Sequence, residues 1–140
     1  MAMTLDQANQ IIARALEHSA RAGYKPMAVV VLDEGGHLKA AQREDGASMF
    51  RVDIATGKAW AAIGMGASSR DLAERAKGNP NFFVTLAATA QGRFLPQTGA
   101  VLIRDEAGTV IGAVGASGGS GDEDEAICIA GIAAAGLAHG

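Results

Sequence analysis

The sequence predicts an α+β fold: a five-stranded antiparallel sheet flanked by helices, in the order α-β-β-α-α-β-β-β-α. Two observations point to it. Strand-like runs fall in two clusters separated by helical periodicity. Within each cluster short turn sequences, Asp33-Glu34-Gly35-Gly36 and Asp105-Glu106-Ala107-Gly108, join neighbouring runs as hairpins. Hairpins give antiparallel neighbours, whereas a doubly wound α/β chain would alternate single strands with helices.

Each element has a local reason. Thr4-Leu5-Asp6-Gln7 is a capping box, and Leu5, Ala8, Ile12, Ala15, Leu16 and Ser19 recur at helical spacing until Gly23 and Pro26 end the helix. Val29–Leu32 is continuously β-branched and aliphatic, as expected of a strand covered on both faces, so strands are expected at about 27–33 and 37–42. From Ser48 the pattern is helical again, with Val52, Ala55, Ala59, Ala62 and Ile63 forming a stripe of mostly small residues, and Gly64-Met65-Gly66 is expected to break it. Ser68-Ser69-Arg70-Asp71 opens a short helix that Gly78 closes, and Asn79-Pro80 starts another over about 81–90. Phe94-Leu95-Pro96 reads as a brief edge strand, followed by strands at 101–104 and 109–114. Ser120-Gly121-Asp122-Glu123 is a second capping box, and the helix it opens is expected to run to Leu137.

At 140 residues and 14.2 kDa the chain is expected to be one domain, 1–140, with a core that needs neither metal nor disulfide. The net charge of −3 and the scarcity of aromatic residues, 4%, argue against a nucleic-acid partner. Cys128 stands alone in the apolar run Ala126–Ala130, which excludes a disulfide and a thiolate metal cage. There is no basic, then apolar leader and no run approaching the ~20 residues of a membrane span, so the expectation is a cytoplasmic protein without a membrane partner.

The residues that carry chemistry are few. Lys58 has Ile54, Ala55, Ala61 and Ala62 as helical neighbours, so it either snorkels to water or sits in a pocket where it can bind a carboxylate or act as a base. Arg43 and Asp45 follow the second strand, where they can pair with each other or Arg43 can clamp a ligand carboxylate. Asp33 ends a buried strand as a turn-former or an inward carboxylate. Gly115, Gly118 and Gly119 suggest that a ligand or second chain approaches the backbone, but the acids at 122–125 would repel phosphate and no Walker ending follows. The histidines, His18, His37 and His139, form no zinc spacing; His18 and His37 remain single candidates for a haem ligand, and His139 lies at an end expected to fray.

The runs Val30–Leu38, Arg43-Glu44-Asp45-Gly46-Ala47, Lys58-Ala59 and Ile111–Gly119, with Asp124 five residues on, together resemble the GlcG-like, haem-degrading-domain family (DUF336) over nearly the whole chain. That family includes glycolate-operon GlcG proteins, secreted haem-binding sensors and the C-terminal domain of some corrinoid adenosyltransferases. The resemblance implies a five-stranded sheet with flanking helices, assembly into dimers and rings up to octamers, and haem as a cofactor of some members. Its recurring positions fall here on Asp33, Gly35, Gly36, Arg43, Asp45, Gly46, Lys58, Ser117, Gly118, Gly119 and Asp124. It implies a ligand site of Arg43, Asp45, Lys58, Ser117, Gly118 and Gly119. Its usual Gly-Gly-Val-Pro-Ile strand stands here as Gly92-Arg93-Phe94-Leu95-Pro96.

Three functions follow as expectations. The first is a small-molecule-binding protein, with haem or a related tetrapyrrole as the leading ligand. The second is a small enzyme of lyase, isomerase or hydrolase type on an oxo- or hydroxy-acid, with Lys58 and Arg43 on the carboxylate and Asp33 or Asp45 moving a proton. The third is a structural homo-oligomer, its alanine faces packing between subunits.

Overall fold

Thr4 caps the first helix as its sequence dictates: its Oγ1 accepts the Gln7 N–H at 3.1 Å, and Gln7 Oε1 accepts the Thr4 N–H at 2.9 Å. From this cap the computed structural model describes residues 2–140. The elements are α1 (Leu5–Ala22), β1 (Ala28–Asp33), β2 (Leu38–Arg43), α2 (Phe50–Met65), α3 (Ser69–Gly78), α4 (Pro80–Thr89), β3 (Ala100–Arg104), β4 (Val110–Ser117), α5 (Gly121–Ala134) and β5 (Ala138–His139). The fold class is the expected one: a five-stranded sheet in the order β2-β1-β4-β3-β5, with every pair antiparallel and helices around it.

One strand lies elsewhere than its sequence suggests. Residues 94–96 form no strand; the Leu95 N–H is drawn instead to the Gly57 carbonyl of α2, at 3.2 Å. The fifth strand is β5, because Gly136 at φ +76° turns the chain after α5 and lays Ala138 and His139 against Arg104 and Ile103. The same turn ends α5 at Ala134, short of Leu137, and gives His139 a strand position in place of a frayed end. Gly64 lies inside α2, which continues to Met65 and closes on Gly66 at φ +68°. Asn79 stands at the N-cap of α4 without a side-chain bond, and Pro80 takes the first helical position.

Strand periodicity sorts the core into two layers. Met27, Val29, Val31, Val101, Ile103, Val114 and Ala116 face α1 and α5, where they meet Ile11, Ile12, Ile127, Cys128 and Ile132. Val30, Leu32, Ala100, Leu102 and Ala113 face α2 and its Ala55, Ala59 and Ala62. On that side α2 comes so close that a Cβ on Gly115 would lie 2.3 Å from the Ala55 carbonyl oxygen. The outer margin of β3 is covered: Gly140 exchanges backbone bonds with Leu102, and Ser69 Oγ accepts the Ala100 N–H at 2.8 Å. Among the described residues no helix is long and apolar enough to cross a membrane.

Candidate functional site

Lys58 decides where the site lies. Its position on α2 faces β4, and the alanines around it bring the helix too close to the sheet for the amine to escape to water. Only 5% of the residue is exposed. The ammonium donates to Asp124 Oδ2 at 2.9 Å and to the Ala116 carbonyl at 3.1 Å. Asp124, on the first turn of α5, is equally buried, and its Oδ1 accepts the Gly119 N–H at 2.9 Å. One ion pair therefore joins α2, β4, the glycine loop and α5. Burial raises the Asp124 carboxyl above its ordinary value, against the opposing pull of Lys58 and the Gly119 N–H.

The loop takes its shape from close approach. Gly118 has φ +153°, and a Cβ there would lie 2.2 Å from the Pro26 carbonyl oxygen, so a side chain cannot be placed without moving backbone. Ser120 then caps α5: its Oγ accepts the Glu123 N–H, and Glu123 returns a bond to the Ser120 N–H. Of the acids at 122–125, Asp122 and Glu125 pair with Arg70 of α3, Glu123 closes the cap, and Asp124 turns inward to Lys58.

Above the ion pair lies a recess of about 430 Å³, lined by Arg51, Ile54, Lys58, Ser117, Gly119 and Asp124 among others. Arg51, on the first turn of α2, donates from Nη1 to Ser117 Oγ at 3.1 Å. Sequence reasoning passed over Arg51, although the signal was there: it lies seven residues before Lys58, two turns along one helix face.

The other expected residues lie apart. Arg43 and Asp45 line a separate recess of about 520 Å³ with Tyr24, Pro26 and Glu44. Arg43 donates to the Ala47 carbonyl at 2.5 Å, and Glu44 exchanges two bonds with Met27, one from its backbone N–H and one to its side chain. The register nevertheless sets Arg43, Ala28 and Ser117 in one row across three strands, roughly 10 Å from end to end. Asp33 is at the far end of the sheet from Ser117, opposite Gly112. It is a turn-former: Oδ1 accepts the N–H groups of Gly35 and His37, each at 2.9 Å. The bond from the His37 N–H leads the causes that hold its carboxyl below the ordinary value.

His37 is exposed, with Nδ1 3.4 Å from Asp33 Oδ1. Gly35 and Gly36 just before it line a mostly apolar hollow of about 300 Å³ with Trp60, Ile63, Leu86 and Phe94. Arg93 lies 4.0 Å over the Trp60 ring. His18 is half-buried on α1. Among the described residues no three His, Cys, Asp or Glu side chains gather as a metal cluster.

This architecture has close structural counterparts. The chain is 25% identical to PduOC in a crystal structure of its haem complex, with a TM-score of 0.87 over 98% of this chain and 97% of that one. It is 25% identical to the ORFY protein of Klebsiella pneumoniae, with a TM-score of 0.86 over 96% and 90% of the two chains. A double mutant of Streptomyces reticuli HbpS is 28% identical, with a TM-score of 0.82 over 95% and 86%. No curated protein sequence matches the chain. The family model described as haem degrading protein HbpS-like matches residues 3–133. With α1 through β4 and all but the last residue of α5 inside that match, the chain belongs to the HbpS-like haem-degrading protein family.

Proposed function

We propose that this protein binds haem or a related tetrapyrrole, and that His37 is the residue that would hold its iron. The observation that carries this reading is the setting of His37. A carboxylate beside Nδ1 is the arrangement that orients a metal-ligating imidazole, and it leaves Nε2 for iron. The imidazole is 82% exposed, so a ligand reaches it without rearrangement of the chain. The apolar hollow that begins at Gly35 and Gly36 offers Trp60, Ile63 and Phe94 to one edge of a macrocycle. The donor chemistry of the chain thus fits the group, and the likeness to PduOC with haem bound agrees with it. Bound haem would supply a redox-active iron. His37 would hold that iron and Asp33 would hold His37.

Titration of the purified protein with haemin tests the reading. A Soret band that saturates at one haem per chain and is lost in His37→Ala is the expected result. Absorbance that rises without saturation overturns it, and loss of the band in His18→Ala alone moves the ligand to α1.

We also propose that the chain acts as a homo-oligomer, from dimer to octamer. The support is a group of large apolar side chains left in solvent: Leu38 on β2, and Met49 and Phe50 at the start of α2, are 67%, 73% and 60% exposed. Light scattering of the wild type against Phe50→Asp tests it, with a smaller particle expected for the variant.

A further inference from the structure

The recess over Lys58 is a different kind of place from the apolar hollow at Gly35 and Gly36. Charged and hydroxyl side chains, Arg51, Lys58, Ser117 and Asp124 among them, make up much of its lining. Its charges are unevenly matched. Asp122 is answered by Arg70, and Asp124 by Lys58. Arg51 makes no ion pair among the described residues, although its charge helps hold down the Asp124 carboxyl; it hydrogen-bonds the neutral hydroxyl of Ser117. A guanidinium has five N–H donors in a planar fork, so one bond to a hydroxyl leaves an edge free to meet two oxygens at once. The Lys58 ammonium has three donors, of which two are taken, by Ala116 and Asp124.

We propose that this recess binds a short hydroxy- or keto-carboxylic acid, with its carboxylate on Arg51 and its hydroxyl or carbonyl oxygen between Ser117 and Lys58. The occupant carries one negative charge, because Arg51 is the one lining cation without an ion pair among the described residues, and the carboxylates of Asp122 and Asp124 disfavour a second charge even though each has its own cation. It is short and partly apolar, because Ile54 and Leu95 line a recess of only about 430 Å³ together with Thr98. Ser117 fixes the geometry: it is 1% exposed, at the last position of β4, and it holds Arg51 over the ion pair. The site shares no lining residue with the apolar hollow beside His37, so it stands whether or not haem binds.

Calorimetric titration with glycolate and pyruvate, with inorganic phosphate as the control, tests the site on the full chain. Saturable binding of either acid is expected, weakened about tenfold to a hundredfold in Arg51→Gln, the worth of one or two charge-assisted hydrogen bonds. Arg51→Lys falls between, since a lysine keeps the charge and loses the fork. Ser117→Ala weakens binding by a smaller factor, about fivefold, through the lost orientation of Arg51. Circular dichroism confirms that each variant is folded, and the haemin titration of Arg51→Gln stays at the wild-type value. No saturable binding of either acid, equal binding by folded Arg51→Gln, or competition by phosphate at the same concentration overturns the assignment.

Discussion

The two faces of the sheet are packed by opposite means. Against α1 and α5 the core is made of large side chains, with Ile11, Ile12, Ile127 and Ile132 fully buried. Against α2 the helix contributes alanines, and contact comes from proximity: Ala55 and Ala59 meet Gly115 at distances that exclude a single methyl. The first face gains its stability from apolar area, about 25 cal/mol per Å² removed from water. The second brings helix backbone to sheet backbone, which leaves a long cation such as Lys58 enclosed and obliges the fold to supply Asp124 and the Ala116 carbonyl. A buried charge is thus carried on the face with the smaller side chains, and the bulkier face serves as ballast.

If that contrast holds, the largest effect comes from breaking the ion pair. Lys58→Met leaves Asp124 buried without its cation and should cost about 3–5 kcal/mol in urea unfolding, whereas Lys58→Met combined with Asp124→Leu should recover most of the loss. On the bulky face Ile127→Ala should cost about 3 kcal/mol in the same assay, the usual cost of a buried isoleucine truncated to alanine. Gly115→Ala reverses the logic: adding a methyl, and apolar area with it, should destabilise by about 1–3 kcal/mol because the Ala55 carbonyl has to move. Cys128 reports on the bulky face without changing it. Burial pushes its thiol well above the ordinary range, so alkylation by iodoacetamide should be negligible in the native protein and should follow the unfolding curve.

The smallest effect belongs to the far end of the sheet. The Asp33 carboxyl titrates below its ordinary 3.8 in the folded chain, first through the His37 N–H. The stability this gives is present above pH 3.8 and is lost as pH falls through the lower folded value. Asp33→Asn should keep the turn, since its amide oxygen can accept the same bonds, and should flatten the acid limb of the stability–pH curve with little change at pH 7.

Much of this was written locally. Thr4 with Gln7 and Ser120 with Glu123 are reciprocal bonds between residues three apart, so both caps were legible as letters. The hairpin at Asp33–Gly36 was legible for the same reason. Residues 94–96 were misread because the sequence shows a β-like tripeptide and not the Gly57 carbonyl that competes for it. β5 has only two residues, too few for any period, and exists because the margin of β3 is there to receive it. At the site, the choice between a snorkelling and a pocketed Lys58 turned on a partner 66 residues away, which no spacing along α2 records. Arg51 lies two helical turns before Lys58, beyond the three- and four-residue spacings that mark immediate neighbours on a helix.

The covered margin of β3 has one more consequence. With Ser69, β5 and Gly140 sealing that side, among the described residues the sheet's one long open border is the six-residue β2, and its other border is the two-residue β5. A ribbon nearly hemmed on one side and raw on the other has one long edge to stitch. Two molecules joined along β2 would leave only the two-residue β5 borders, too short to template a third, so backbone pairing here favours a closed pair over a fibre.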